Sequence, residues 1–324
     1  MAKKKSKCYS GIGGQAVLEG VMMKNSDRYA VAVRKPDGQI FVEQENYQGM
    51  MHENSIKKLP FIRGIFNFLD SMVLGTRVLN YSASFYEEED PQGKPQDKKK
   101  DKVTNVLVAL FSIVLAIGIF ILLPYGISAL FEKYIRNASL MAVIEGAIRI
   151  LVFLLYVWGI SAMEDIKRLY QYHGAEHKCI NCIEKGRPLT VHDVMRSSRL
   201  HRRCGTSFIF FVLIVSIVLF FFIRVDHVLA KVALRILLMP VVAGISYELI
   251  RLAGRYDNLF TRILSAPGML IQKLTTKEPD EQMVEVAIAA VEAVFDWKAY
   301  LKETFGYEVD DSWLDRKPEG NDDL

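Results

Sequence analysis

The polar and apolar positions change their rhythm along the chain. Arg28–Arg34 (RYAVAVR) and Gln39–Gln44 (QIFVEQ) carry strand-forming residues, and Pro36-Asp37-Gly38 between them is a turn signal. Residues 1–56 therefore read as a small β-rich soluble segment containing a hairpin. Residues 57–81 are mostly apolar, but Arg63, Asn67, Asp70 and Arg77 recur at helical spacing. That stripe predicts an amphipathic helix lying in the membrane interface or packed on a bundle. Residues 82–102, with EEEDPQGKPQDKKKDK from position 87 onward, form a charged linker with no means of building a core.

Four long apolar blocks follow: Val103–Leu123, Leu140–Met163, Ser207–Val225 and Val228–Leu252. Each is about long enough to cross ~30 Å of hydrocarbon at about 1.5 Å per residue. Pro124 closes the first, and Pro240 predicts a kink in the fourth. A polar loop, 164–206, separates the second block from the third. In the region 254–324, Pro267-Gly268 predicts a break. Glu281–Trp297 then reads as a helix with Met283, Val286, Ala287, Ala290, Val294 and Trp297 on one face. The acidic last dozen residues are expected to be disordered. The predicted fold class is an all-α membrane bundle of about four transmembrane helices, with a β-rich N-terminal segment and a C-terminal cytoplasmic helix.

Composition supports this division. Apolar residues make up 51% of the chain and charged residues 24%, which are compatible only if the two are segregated. The net charge of +4 is too small to argue for nucleic acid as a partner. Its distribution fixes an orientation. Lysines and arginines crowd the approach to the first block (Lys98, Lys99, Lys100, Lys102), the loop 164–206 and the stretch after the fourth block (Arg251, Arg255, Arg262). The loop after the first block has only Lys133 and Arg136. The positive-inside rule then makes this a multi-pass protein of the cytoplasmic membrane, with both termini and the loop 164–206 in the cytoplasm. Cys8, Cys179, Cys182 and Cys204 fall on that reducing side, so no structural disulfide is expected. The basic start, Met1–Lys7, is followed by no apolar core and does not read as a secretory signal.

The strongest chemical pattern is His173-Gly-Ala-Glu176-His177, in a stretch able to run as a helix from Met163 to Lys185 until Gly186 and Pro188 end it. Residues four apart share a helix face, so both imidazoles can address one divalent metal ion, zinc being the first candidate. Glu176 stands beside them as a general base for activated water, in the H-x-x-E-H order of inverted zinc hydrolases. The bland alternative is two histidines at a charged membrane surface. A catalytic zinc site usually takes a third protein ligand. His192, His201 and Cys204 lie in the same loop. Glu248 lies near the cytoplasmic end of the fourth block, where a salt bridge to Arg251 or Arg255 is its alternative fate. Cys179-Ile-Asn-Cys182 has no second C-x-x-C to complete a zinc ribbon and reads as incidental. Glu145 and Arg149, four apart inside the second block, form a favourable ion pair that Arg235 can join.

Together these stretches carry a resemblance. Gly13-Gly-Gln-Ala-Val-Leu-Glu-Gly-Val-Met-Met23, Phe61-Ile-Arg-Gly64, Tyr172-His-Gly-Ala-Glu-His-Lys178, Cys204-Gly-Thr-Ser207 and Leu274-Thr-Thr-Lys-Glu-Pro279 look like the YqhQ-like family of bacterial membrane proteins. The resemblance covers about residues 10 to 300 and implies a metal-dependent enzyme of unassigned activity. Here His201-Arg-Arg203 stands where the family usually reads His-Pro-Arg. The resemblance also singles out Gln15 and Glu19, which read as turn and strand-edge hydrogen-bonding residues. The expected function is a metal-dependent hydrolase at the cytoplasmic membrane face, with metal at His173 and His177, completed by Glu248 or by His201 and Cys204. The alternative is a non-enzymatic assembly or regulatory scaffold, in which the polybasic loop and the 57–81 helix bind anionic membrane lipid, a protein partner or a second copy of the chain.

Overall fold

The computed structural model describes residues 9–49, 59–86, 98–131, 133–135, 137–222, 225, 227–255, 259–306, 308 and 309. Cys8 and the basic start, most of the charged linker, Arg224 and the acidic tail lie outside the described residues.

Strands β1 (Gly13–Val17), β2 (Gly20–Asn25), β3 (Arg28–Arg34) and β4 (Ile40–Asn46) form one antiparallel meander in chain order. The predicted hairpin is β3–β4, with Arg34 opposite Ile40 and Gly38 at φ 85° in the turn. β1 and β2 add a hairpin that turns at Leu18-Glu19. Side chains alternate between two covered faces, as the pleat requires. Val21, Met23 and Ala32 enter one core; Val17, Met22, Tyr29, Val31 and Val33 enter another.

The second of these cores is closed by Leu74 and Val78 of α1 (Ile62–Ser84). The polar stripe predicted for this helix is its packing side. Arg63 binds Glu248, and Asn67 Nδ2 donates to the Tyr247 hydroxyl at 2.6 Å. The Tyr47 hydroxyl donates to Asp70 at 2.7 Å, and Arg77 pairs with Glu45 at 3.0 Å. Phe68, Leu69, Met72 and Val73 remain exposed on the other side.

Three stretches are long and apolar enough to cross a membrane. The first, Val106–Ala129, joins α2 (Lys98–Ile117), a π-helical turn (Gly118–Leu122) and α3 (Leu123–Ala129). Pro124 therefore does not close this block. It sits in the first turn of α3, and the preceding π turn, closed by Leu123 N–H on the Gly118 carbonyl, absorbs its missing donor. The other two are α4 (Ala138–Ile160) and α7 (Gly205–Phe222). α8 (Val228–Leu237) and α9 (Met239–Arg255) make a fourth crossing if taken as one span, bent by 42° where Pro240 enters. Glu145 of α4 binds Arg149 at 2.8 Å and Arg235 of α8 at 2.6 Å, all three buried, so these charges face one another and not lipid.

The chain turns at Ser161–Met163 before α5 (Glu164–Glu184), whose first turn carries Glu164 and Asp165 against the positive end of the helix. The His-bearing helix thus starts afresh and does not continue α4. Gly186, at φ 76°, ends it, and the short α6 (Val191–Met195) follows. α10 (Leu259–Thr275) runs straight through Pro267-Gly268, where a break was expected. Gly268 has a packing reason to be there: an added Cβ would lie 2.8 Å from Ser207 Oγ, so α10 rests closely on α7. α11 (Glu281–Val294) is capped by Asp280, which accepts from Met283 N–H at 2.8 Å. It buries Met283, Val286, Ala287 and Ala290 as predicted, but ends at Val294. Phe295 is extended, and Asp296 caps a separate helix, α12 (Trp297–Phe305). α5 and α11 together cover the first sheet face through Tyr172, Ala175, Ile180, Val284, Ala287 and Val291.

Candidate metal centre

One turn of α5 separates His173 from His177, and their ring centroids lie 4.4 Å apart. His173 Nδ1 is 2.9 Å from the Thr275 carbonyl, and His177 Nδ1 is 2.6 Å from the Arg199 carbonyl. A carbonyl only accepts, so both Nδ1 atoms donate, and in the neutral ring Nε2 is then the atom that carries the lone pair. His173 Nε2 faces Cys204 Sγ at 3.1 Å. His177 Nε2 is buried without a hydrogen-bond partner. The ligand atoms of His173, His177 and Cys204 all lie within 4.8 Å of one another, making the group a candidate metal site among the described residues. Pinning one ring nitrogen on an oxygen and leaving the other bare is how metal-binding imidazoles are oriented, and an orphaned buried acceptor is costly without a cation.

Cys204 immediately precedes α7. The Thr206 N–H lies 3.4 Å from its sulfur and the Thr206 hydroxyl 3.2 Å. Two imidazoles and one cysteine sulfur are a donor set that suits zinc.

The Leu274–Pro279 stretch straps α5 in place. Lys277 N–H donates to the Tyr170 carbonyl at 2.9 Å, and Gly174 lies so close that any Cβ would collide with the Lys277 carbonyl oxygen. The strap supplies the Thr275 carbonyl for His173. It also holds the partner of His177, because Arg199 donates to the Thr276 carbonyl and pairs with Glu278 at 3.1 Å.

Glu176 borders the same cavity, of about 610 Å³, as the His–Cys group. Its carboxylate accepts the Gly14 N–H from β1, while Oε2 is buried and unpartnered. Burial pushes the carboxyl up to about 7, against the opposing pull of His173 and of that N–H. An added Cβ at Gly14 would lie 2.5 Å from the Met22 carbonyl oxygen and 3.1 Å from the Glu176 carboxyl carbon, so this strand position has to stay bare.

The other candidates are placed differently. Gln272 clamps the main chain of His201, accepting from its N–H at 2.9 Å and donating to its carbonyl at 2.7 Å. The ring lies 5.6 Å from that of His177, but Nε2 turns toward Glu184 and Arg203. Burial holds the His201 pKa below its ordinary value, opposed by Glu184. Glu248 lies outside the group. Its carboxylate is taken bidentately by Arg63, a partner other than the Arg251 or Arg255 weighed from sequence. His192 lies on α6 and is also outside the group. Cys179 and Cys182 are free thiols in the core under the sheet. Glu19, in the β1–β2 turn at φ 49°, pairs with Arg168 of α5, and Gln15 reaches the Gly75 carbonyl at 3.4 Å.

A family model described as "Protein of unknown function (DUF1385)" matches residues 59–297. The chain is 36% identical over 292 residues to a protein of Bacillus subtilis (strain 168) described as "Uncharacterized protein YqhQ", covering 88% of this chain and 92% of that one. No solved structure matches.

Proposed function

The chain belongs to the DUF1385 family, and from that premise we propose a metal-dependent hydrolase working at the cytoplasmic face of the cell membrane. The observation that carries this reading is the pair of Nε2 atoms beside Cys204 Sγ, each imidazole held by a main-chain carbonyl on its far side.

His173, His177 and Cys204 would hold a divalent metal, zinc by donor chemistry. Once bound, the ion would supply Lewis acidity, polarising a carbonyl or phosphoryl oxygen and making water more acidic. Glu176 is the general base. A carboxyl poised at about 7 can both take a proton from water and return it to a leaving group near neutral pH. Gly14 N–H fixes one edge of that carboxylate and leaves Oε2 free to receive the proton. His201, locked by Gln272, walls the cavity without joining the ligands.

The cytoplasmic assignment rests on the lysines and arginines that flank the apolar blocks on the side of the loop 164–206. The direct test of the base is Glu176→Gln in a strain lacking the native gene. The variant is expected to accumulate and retain metal while failing to restore the deletion phenotype. Full restoration would remove the catalytic role.

A further inference from the structure

The cavity at the His–Cys group adjoins a second one. Gln15, Ser71, Arg203, Gly205 and Ile209 border both. The second cavity, of about 580 Å³, runs between α1, the first turn of α7 and the last turns of α9, and is walled by Phe68, Met72, Leu79, Phe208 and Ile250. Phe68 and Phe208 meet across it with ring centroids 5.3 Å apart, while Met72 stays 54% exposed. Two of its three walls belong to apolar helices of membrane-crossing length, counting α8–α9 as one. The groove therefore runs along the flank of the apolar helices and shares its inner border with the cavity at the candidate metal centre.

We propose that the groove seats the hydrocarbon chain of a bilayer lipid whose ester or phosphoester head reaches His173, His177 and Cys204. This rests on the hydrolase reading and names its substrate class. An apolar groove beside lipid suits a hydrocarbon chain, which asks for no hydrogen bonds. A polypeptide threaded there would leave its N–H and C=O groups unpaired. Moving a chain from bilayer to groove is a transfer between two apolar media, so the groove selects by shape and position. Polarity changes where the two cavities meet. Arg203 is the one lysine or arginine bordering either of them among the described residues. It is fixed there by Glu184 and by the Tyr9 ring, 4.2 Å away. A phosphate or ester oxygen entering from the groove meets its guanidinium first. Hydrolysis then balances simply: water oxygen bonds to the acyl or phosphoryl centre, the bond to the alcohol oxygen breaks, and the proton lost by water passes through Glu176 to that oxygen.

The test is photolabelling of the full chain in phosphatidylcholine nanodiscs doped with phosphatidylglycerol carrying a diazirine in its acyl chain. Labelling is expected to concentrate on the groove faces of α1 and α7. Met72→Trp, which fills the groove, should cut it by roughly tenfold, about 1.4 kcal/mol of binding. Leu155→Trp, on the exposed side of α4, should leave it unchanged. Labelling spread evenly over α2, α4 and α7, or untouched by Met72→Trp, would overturn the lipid site. So would recovery of a cut membrane polypeptide from the same discs with the lipid intact. Metal analysis on the same preparation separates the two claims. Groove labelling without stoichiometric metal sinks the hydrolase alone, and stoichiometric metal with even labelling sinks the lipid assignment alone.

Discussion

Arg63 on α1 holds both carboxylate oxygens of Glu248 on α9, with Nε 2.6 Å from Oε1 and Nη2 2.5 Å from Oε2. Each side chain is 22% exposed, so the pair is shielded enough to matter for docking α1 on the bundle. A third-ligand role for Glu248 and this ion pair make different predictions. Glu248→Gln is expected to leave metal stoichiometry unchanged and to lower stability by about 1.5–3 kcal/mol, the range for a hydrogen bond to a charged group. In a double-mutant cycle, Arg63→Met with Glu248→Leu should cost less than the sum of the single changes. Loss of metal from Glu248→Gln would return this residue to the ligand set.

Cys204 should be the thiol that metal protects. Treating native protein with an alkylating reagent, then mapping the adducts by mass spectrometry, is expected to show Cys204 unmodified until a chelator is added. Cys179 and Cys182, sealed in the core under the sheet, should stay unmodified in both conditions. Cys204 reacting equally with and without chelator would argue against its ligation.

The strap over α5 depends on Gly174. Gly174→Ala forces a methyl group against the main-chain oxygen of Lys277, which no side-chain rotation relieves. The expected cost is about 1–3 kcal/mol from overpacking. Because the strap carries the Thr275 carbonyl that orients His173, metal affinity should fall with stability. At Gly159 of α4 nothing lies within 4 Å of an added Cβ, so Gly159→Ala is the milder control. Equal melting shifts for both variants would refute the rigid-strap account.

Glu184 sets an acid limit. Burial alone would raise its pKa, but hydrogen bonding with His201 and the charge of Arg203 outweigh that and hold it at about 2, below its ordinary 4.5. A carboxyl depressed in the folded state contributes stability that is fully present above about 4.5 and is lost as pH falls toward about 2. Thermal melts of wild type and Glu184→Gln should therefore converge across that window and differ most above it. A constant offset at every pH would contradict the linkage.

Much of the site was legible in the chain because it is local. His173, Glu176 and His177 sit within five residues on one helix, so spacing alone puts them together, and Cys204 was within reach as the residue leading into the third apolar block. The groups that orient the site left no such trace. The Thr275 and Arg199 carbonyls and the Gly14 N–H are main-chain atoms, which any residue type supplies. Glu248 had a plausible depth near the cytoplasmic end of the fourth block, but a guanidinium 185 positions earlier in the chain claimed it, and a sequence does not rank such long-range partners. β1 and β2 were visible only as a β-rich stretch, because the sheet is covered on both faces and the usual alternation of apolar and polar residues is lost at Val21-Met22-Met23. Pro124 and Pro267 misled for a related reason. Each was read as an end, while a π turn accommodates Pro124 and α10 continues through Pro267 with Gly268 packed closely on Ser207.

The central claim is that His173, His177 and Cys204 hold a metal ion. Elemental analysis of detergent-purified wild-type protein beside His173→Ala/His177→Ala, with both confirmed as folded, tests it most directly. The account predicts stoichiometric zinc or another divalent metal in the wild type and none in the variant. The same trace background in both proteins would contradict it.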